Sequence, residues 1–313
     1  MSCTLEAFEL VAMALIGLFA GVVGGMLGVG GSIVMIPAMT EVLGPNQHLY
    51  QAAAMIVNFF VVVPAVYQHR RAQAVDTATV LRIVPLAAVA VIGGVVISEL
   101  PIFAGRGEAN LRGLFGLFLL FVAAFDFYRL FRSSNDRRRA AVGEPRRRIG
   151  WARVACVAVP TGLIAGLLGV GGGIVAVPLQ RRLLRIPIRP AVANSAAIII
   201  ATSLIGSIFK NAAYVSDNDG STEPFLLAAI LIPTAIVGSL FGSRLTHKLP
   251  LKVVKAAFFV LLFAAALRLT CKAWGTVQPG VPAPVATRVE GSGSICLSSP
   301  TRCGVSTTGS TLS

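Results

Sequence analysis

The chain has 313 residues, 55% of them apolar and only 13% charged, and its mean hydropathy is +0.80. Soluble domains carry about 25% charged residues, so the composition excludes a soluble protein and indicates a polytopic membrane protein. The net charge of +14 does not mark a nucleic-acid binder: the arginines fill short gaps between apolar runs, and no basic patch is interleaved with aromatics.

The first apolar run, about 8–27, is too long and too glycine-rich for a cleaved leader and is expected to remain as the first span. A glycine cluster follows, then a short apolar piece, 32–43, that stops at Gly44-Pro45-Asn46. Runs at 51–67, 83–100 and 111–131 complete a first half. Residues 132–150 form a linker with Arg132, Arg137, Arg138, Arg139, Arg146, Arg147 and Arg148, read as a solvated cytoplasmic loop. The plan then repeats with runs at 152–168, 174–184, 191–209, 225–243 and 253–270. Residues 275–313 are rich in Pro, Gly, Ser and Thr and are predicted to be a disordered tail. The division is therefore 1–131, a first transmembrane repeat; 132–150, the basic linker; 151–274, a second repeat; and 275–313, the tail.

The repeat is carried by GVVGGMLGVGGSIVMIP at 21–37 and GLIAGLLGVGGGIVAVP at 162–178, identical at ten of seventeen positions and 141 residues apart. A dinucleotide loop would need glycine at 33 or 174, and both positions hold Ile. Gly17, Gly21 and Gly25 have the spacing that lets two membrane helices approach closely. The downstream clusters, Gly28, Gly30 and Gly31 with Gly169, Gly171 and Gly172, are expected to interrupt their helices inside the membrane. Freed N–H groups at the start of a half-helix would then face an anion, with Ser32 adding a hydroxyl.

A straight span needs about 20 residues, so 32–43 and 174–184 cannot cross alone and must pair with the run before them. Basic gaps at 68–82, 132–150, 181–190 and 244–252 belong in the cytoplasm, and Arg-poor gaps at 44–50, 101–110 and 211–224 outside. Five segments per half then give the halves opposite orientation. The expected fold is an all-α integral membrane protein of two inverted repeats, each opening with a Gly-rich broken helix or hairpin, with about eight to ten membrane segments.

Two copies of G-x-x-x-G-x-x-G-[VI]-G-G-[GS]-x-[IVL]-x-x-P, one opening each half, resemble the TauE/SafE family of sulfite exporters and related permeases over about 5–270. The resemblance implies a transporter of sulfite, sulfoacetate or other small sulfur-containing or organic anions; the plasma membrane is the expected location. Asn194-Ser195 followed by Thr202-Ser203 also resembles the family, whereas the matching stretch of the first half, Ala53 to Phe60, keeps only Asn58. The candidate substrate-binding set is the six clustered glycines with Ser32, Asn58, Asn194, Ser195, Thr202 and Ser203.

Few other polar groups lie at depth. Asp126 is expected to pair with Arg129, Glu41 and Glu99 to sit at segment ends, Lys210 to snorkel, and His48, His69 and His247 to be solvated at loop edges. The lack of midplane acids suits a negatively charged passenger. No catalytic pair and no metal-ligand spacing stand out, and the five cysteines form no C-x-x-C, so neither an enzyme nor a cofactor is expected. The partners implied are a small anion, the bilayer and a coupling proton or sodium ion. Oligomeric state and the identity of the anion are not readable. An anion channel and a non-transporting membrane scaffold are the alternative readings.

Overall fold

A computed structural model describes residues 7–71, 73–103, 107–132, 150–218, 220–245, 263–264 and 267–268. All of them fall within the unit Leu5–Pro279. The body of the linker, nearly all of the run 253–270, the tail and the side chains of Asp126 and Arg129 lie outside the described residues.

The described residues form nine helices and no strand. They are α1 (Ala7–Leu27), α2 (Ser32–Val42), α3 (Gln47–Arg71), α4 (Thr77–Ser98), α5 (Glu108–Arg132), α6 (Trp151–Leu168), α7 (Gly173–Leu183), α8 (Ile188–Asp217) and α9 (Glu223–Leu245). Among them α1, α3, α4, α6, α8 and α9 are long and apolar enough to cross a bilayer. The polarity pattern is that of a membrane protein. Leu81, Val89 and Phe121 are among the most exposed side chains, while Gln51, Asn58 and Lys210 are fully buried. The chain is a multi-pass integral membrane protein.

The short pieces are helices of 11 residues each, α2 and α7, rising about 16 Å against a hydrocarbon core of about 30 Å. Each stands behind a glycine corner. The first corner takes positive φ at Gly28 and Gly30, and the second at Gly169, Gly171 and Gly172. These are left-handed conformations that glycine adopts without a Cβ penalty. The corners are not identical. Gly31 has φ −82° and already belongs to the right-handed helical region, whereas its counterpart Gly172 has φ 78°.

The 141-residue offset of the motif also relates the helix starts. Ser32 and Gly173 open α2 and α7, and Gln47 and Ile188 open α3 and α8. Packing follows the same equivalence: α1 lies along α9 as α6 lies along α4. The glycine stripes make both contacts. A Cβ on Gly21 or Gly25 would run into the backbone of Ala235 or Ser239, and one on Gly162 or Gly166 into that of Ala87 or Val91. Helices α3 and α8 pack side by side and antiparallel, with Ala52 beside Asn211 and Met55 beside Gly206. Asp76 fixes the start of α4, its carboxylate accepting from Thr79 N at 3.4 Å and Thr79 Oγ1 at 2.9 Å.

Candidate anion site between two glycine corners

The two corners touch. A Cβ on Gly173 would lie 3.0 Å from Val29 Cα and 3.1 Å from the Gly28 carbonyl oxygen. Each corner also leans on the long helix of the other half. Gly28 faces Val192 on α8, and Gly169 faces Gln51 on α3, positions again 141 apart. The absence of side chains lets backbone approach backbone here.

Asn58, on α3, stands between the corners. Its Oδ1 accepts from Ser32 N at 3.1 Å, and its Nδ2 donates to Ser32 Oγ at 2.8 Å. The same amide lies 2.9 Å from a Cβ built on Gly30 and 3.3 Å from one built on Gly171. Ser32 N–H is one of the donors that a helix start leaves without an intrahelical partner, and Asn58 satisfies it. At the start of α7 no such cap is found among the described residues: Ile199 occupies the position equivalent to Asn58, and Gly172 gives no side-chain hydrogen bond.

Breaking a helix also frees carbonyls, and two hydroxyls of α8 take them up. Ser195 Oγ lies 3.1 Å from the Gly28 oxygen, and Thr202 Oγ1 donates to the Gly171 oxygen at 2.9 Å. Both hydroxyls also reach carbonyls of their own helix, Val192 and Ile198. Ser203 differs. It is fully buried, its Oγ lies 3.1 Å from a Cβ built on Gly171, and it finds no hydrogen-bond partner among the described residues. The second corner therefore offers an uncapped helix start, a free hydroxyl and the Asn58 amide at one point.

The structure thus brings together Gly28, Gly30, Ser32, Asn58, Gly171, Ser195, Thr202 and Ser203. Gly31 precedes α2 next to Ala20, Gly172 precedes α7 against Thr161 and Ala165 on α6, and Gly169 sits at the end of α6. Asn194 points elsewhere: its Oδ1 accepts from Asp76 N at 2.8 Å, tying α8 to the start of α4, and its Nδ2 is unpartnered.

Sequence reasoning missed three groups. Gln51 is fully buried with both amide atoms unpartnered, against Gly169 and one heptad before Asn58 on α3. Lys210 does not snorkel. It is fully buried; its Nζ donates to Glu99 Oε1 at 2.5 Å and Ser98 Oγ at 2.8 Å, and lies 3.0 Å from His48 Nδ1. His48 is accordingly not a solvated edge residue, and its Nε2 meets the Phe103 carbonyl at 2.9 Å. Burial works against the charged form of Glu99, but the hydrogen bond with His48 and the Lys210 ammonium outweigh it and hold its carboxyl down to about 2. The usable signal was the offset: Lys210 is the repeat counterpart of His69, so both halves carry a basic group there. Among the described residues no group of three or more His, Cys, Asp or Glu could hold a metal ion.

Residues 13–269 match the family model described as sulfite exporter TauE/SafE. The chain is similar to the probable membrane transporter protein MamO of Paramagnetospirillum magneticum, 28% identical over 293 residues that cover 83% of this chain and 44% of that one. The MamO protein of Magnetospirillum gryphiswaldense is likewise 28% identical, with 83% and 45% covered. The chain thus spans less than half the length of these two relatives. The probable membrane transporter protein YunE of Bacillus subtilis is 25% identical over 63% of this chain and 77% of its own length. No solved structure matches. A family model running from the first span to beyond α9, through both glycine corners, establishes that this chain belongs to the sulfite exporter TauE/SafE family of membrane transporters.

Proposed function

We propose that the protein carries small oxyanions, sulfite or a related sulfur-containing or organic anion, across the plasma membrane by alternating access between two inverted halves. The observation that carries this reading is the contact of the two glycine corners around Asn58, with the Ser203 hydroxyl unpartnered beside the uncapped start of α7. An uncapped helix start presents N–H donors and the positive end of the helix dipole, and among the described residues no carboxylate lies in hydrogen-bonding contact with Asn58 or Ser203 to repel an anion. Both favour a negatively charged passenger. The family description and the relatives' names support transport in general, and the sulfur oxyanion is the part that the family description suggests.

The antiparallel packing of α3 and α8, which hold equivalent places in the repeat, supports inversion. Halves related in this way can exchange conformations, opening a central site first to one side and then to the other. Uptake into proteoliposomes against a panel of small anions, with and without a proton or sodium gradient, tests the reading. Saturable flux with countertransport is expected; unsaturated conductance would indicate a channel, and no anion flux at all would overturn transport. Cysteines placed at Asn46 and Arg138 are expected to label from opposite sides of an intact membrane. Labelling from the same side would end the inverted arrangement.

A further inference from the structure

The buried cluster around Lys210 lies in line with the central site. Lys210 and Ser203 are seven residues apart on α8, hence on one face and about 10 Å apart along the axis. Gln51 and Asn58 have the same relation on antiparallel α3, so the unpartnered Gln51 amide stands at the level of Lys210. A polar stripe therefore leads from the glycine corners to the end of the molecule where α4 terminates.

Lys210 Nζ lies within hydrogen-bond distance of Glu99 Oε1, Ser98 Oγ and His48 Nδ1. His48 Nε2 lies 2.9 Å from the Phe103 oxygen. The members differ in freedom. The Lys210 side chain is 1% exposed and fixed in the middle of the packed helices, whereas that of Glu99 is 22% exposed and reaches in from the cap of α4. Glu99 can swing out to water; Lys210 cannot. A buried ammonium left without a counter-charge is strongly unfavourable, and more so at membrane depth. When Glu99 leaves, an ammonium kept charged there favours another anion in its place.

We propose that Lys210 Nζ and Ser98 Oγ form a second anion-binding station at this mouth, and that Glu99 occupies it as a built-in ligand which the transported oxyanion displaces. This inference rests on the anion-transport reading above. The carboxylate resembles the passenger in charge and in its pair of acceptor oxygens, so the two compete for the same ammonium. Released, Glu99 no longer ties the end of α4 to α8, and the mouth is free to part. The cation has an anion in either state, so the mouth does not open empty. Ser98 Oγ contributes by turning its hydrogen from the Val95 oxygen, now 2.7 Å away, toward the incoming anion.

The test uses the full-length protein in detergent, titrated with sulfite, with the dissociation constant read from the shift in thermal midpoint. E99Q removes the competing carboxylate and is expected to bind sulfite about tenfold more tightly than the unaltered protein. E99Q/K210Q, which buries no net charge and so serves as the folded control, is expected to lose the whole gain. Equal affinity in E99Q and the unaltered protein, or a gain that persists in the double variant, would overturn the proposal. Should E99Q fail to fold, E99D replaces it: its shorter side chain loosens the grip on Lys210, and an unchanged affinity there overturns the proposal as well. Anion flux by the unaltered protein with no gain in E99Q sinks the station alone. A gain in E99Q with no flux of any anion sinks the transport reading alone.

Discussion

Asn58 and Ser32 form a closed ring of two hydrogen bonds, the amide oxygen taking the Ser32 N–H at 3.1 Å and the amide nitrogen giving to the Ser32 hydroxyl at 2.8 Å. The ring fixes the amide against the first corner while its nitrogen faces the second. Replacing Asn58 by Leu strands the buried Ser32 N–H and is expected to cost about 1–3 kcal/mol of stability. Anion flux should fall well beyond what the loss of folded protein explains. S32A loses only the second bond, so its thermal midpoint should drop less. Thermal melts and flux per folded molecule, measured on the same preparations, check the pair.

Glycine substitutions separate backbone strain from close approach. At Gly171 a Cβ would sit 3.0–3.1 Å from Ile199 Cγ2 and Ser203 Oγ on a backbone of φ 69°. At Gly44 φ is 92°, but nothing lies within 4 Å. Both alanine variants are expected to lose about 1–2 kcal/mol through the left-handed conformation. Only G171A is expected to lose most transport as well. Flux normalised to folded protein distinguishes them, and equal losses would mean that the corner carries strain but no site.

The hydroxyls of α8 are expected to divide by role. Ser203 Oγ has no partner among the described residues, so S203A should leave stability within about 0.5 kcal/mol yet raise the substrate concentration for half-maximal flux. Thr202 donates to the Gly171 oxygen, so T202V should destabilise by about 1–3 kcal/mol through an unmet buried carbonyl. A destabilised S203A with unaltered transport would remove Ser203 from the site.

Acid should act on the Glu99 contact in a defined window. The carboxyl is held from 4.5 down to about 2 in the folded protein. Its stabilising contribution is therefore complete above pH 4.5, declines as the pH falls below that value, and is lost once the pH passes about 2. The thermal midpoint of the unaltered protein is expected to decline through this range more steeply than that of E99Q/K210Q, which lacks the pair. Parallel curves would show that the carboxylate is not held by its neighbours.

What the sequence made legible follows from local signals. Apolar runs marked the long helices, and the shortness of 32–43 and 174–184 showed that α2 and α7 could not cross alone. The glycine clusters marked corners because left-handed backbone selects glycine whatever the tertiary context. Asn58 stood out as a rare amide within an apolar run. Lys210, Glu99 and His48 did not stand out, because each reads as a charge at the end of its own span. Their meaning lies in pairing across 111 and 162 residues of chain, which no periodicity encodes. Gln51 was hidden in the same way, at the edge of a run where a polar residue is unremarkable. Asn194 failed in the opposite direction: an amide beside a serine suggested the site, but helix rotation turns it to Asp76.

The duplication is imperfect at the proposed sites. A molecule whose halves were identical would have inward-open and outward-open forms of equal energy, and would idle with no preferred side. Here Ile199 answers Asn58, and the first half provides His69 where the second has Lys210. Those mismatches lift the degeneracy. On the alternating-access reading the carrier is biased to rest facing one compartment: half-saturation constants measured separately from each face should differ, while the unidirectional fluxes at equal concentrations and no voltage stay equal.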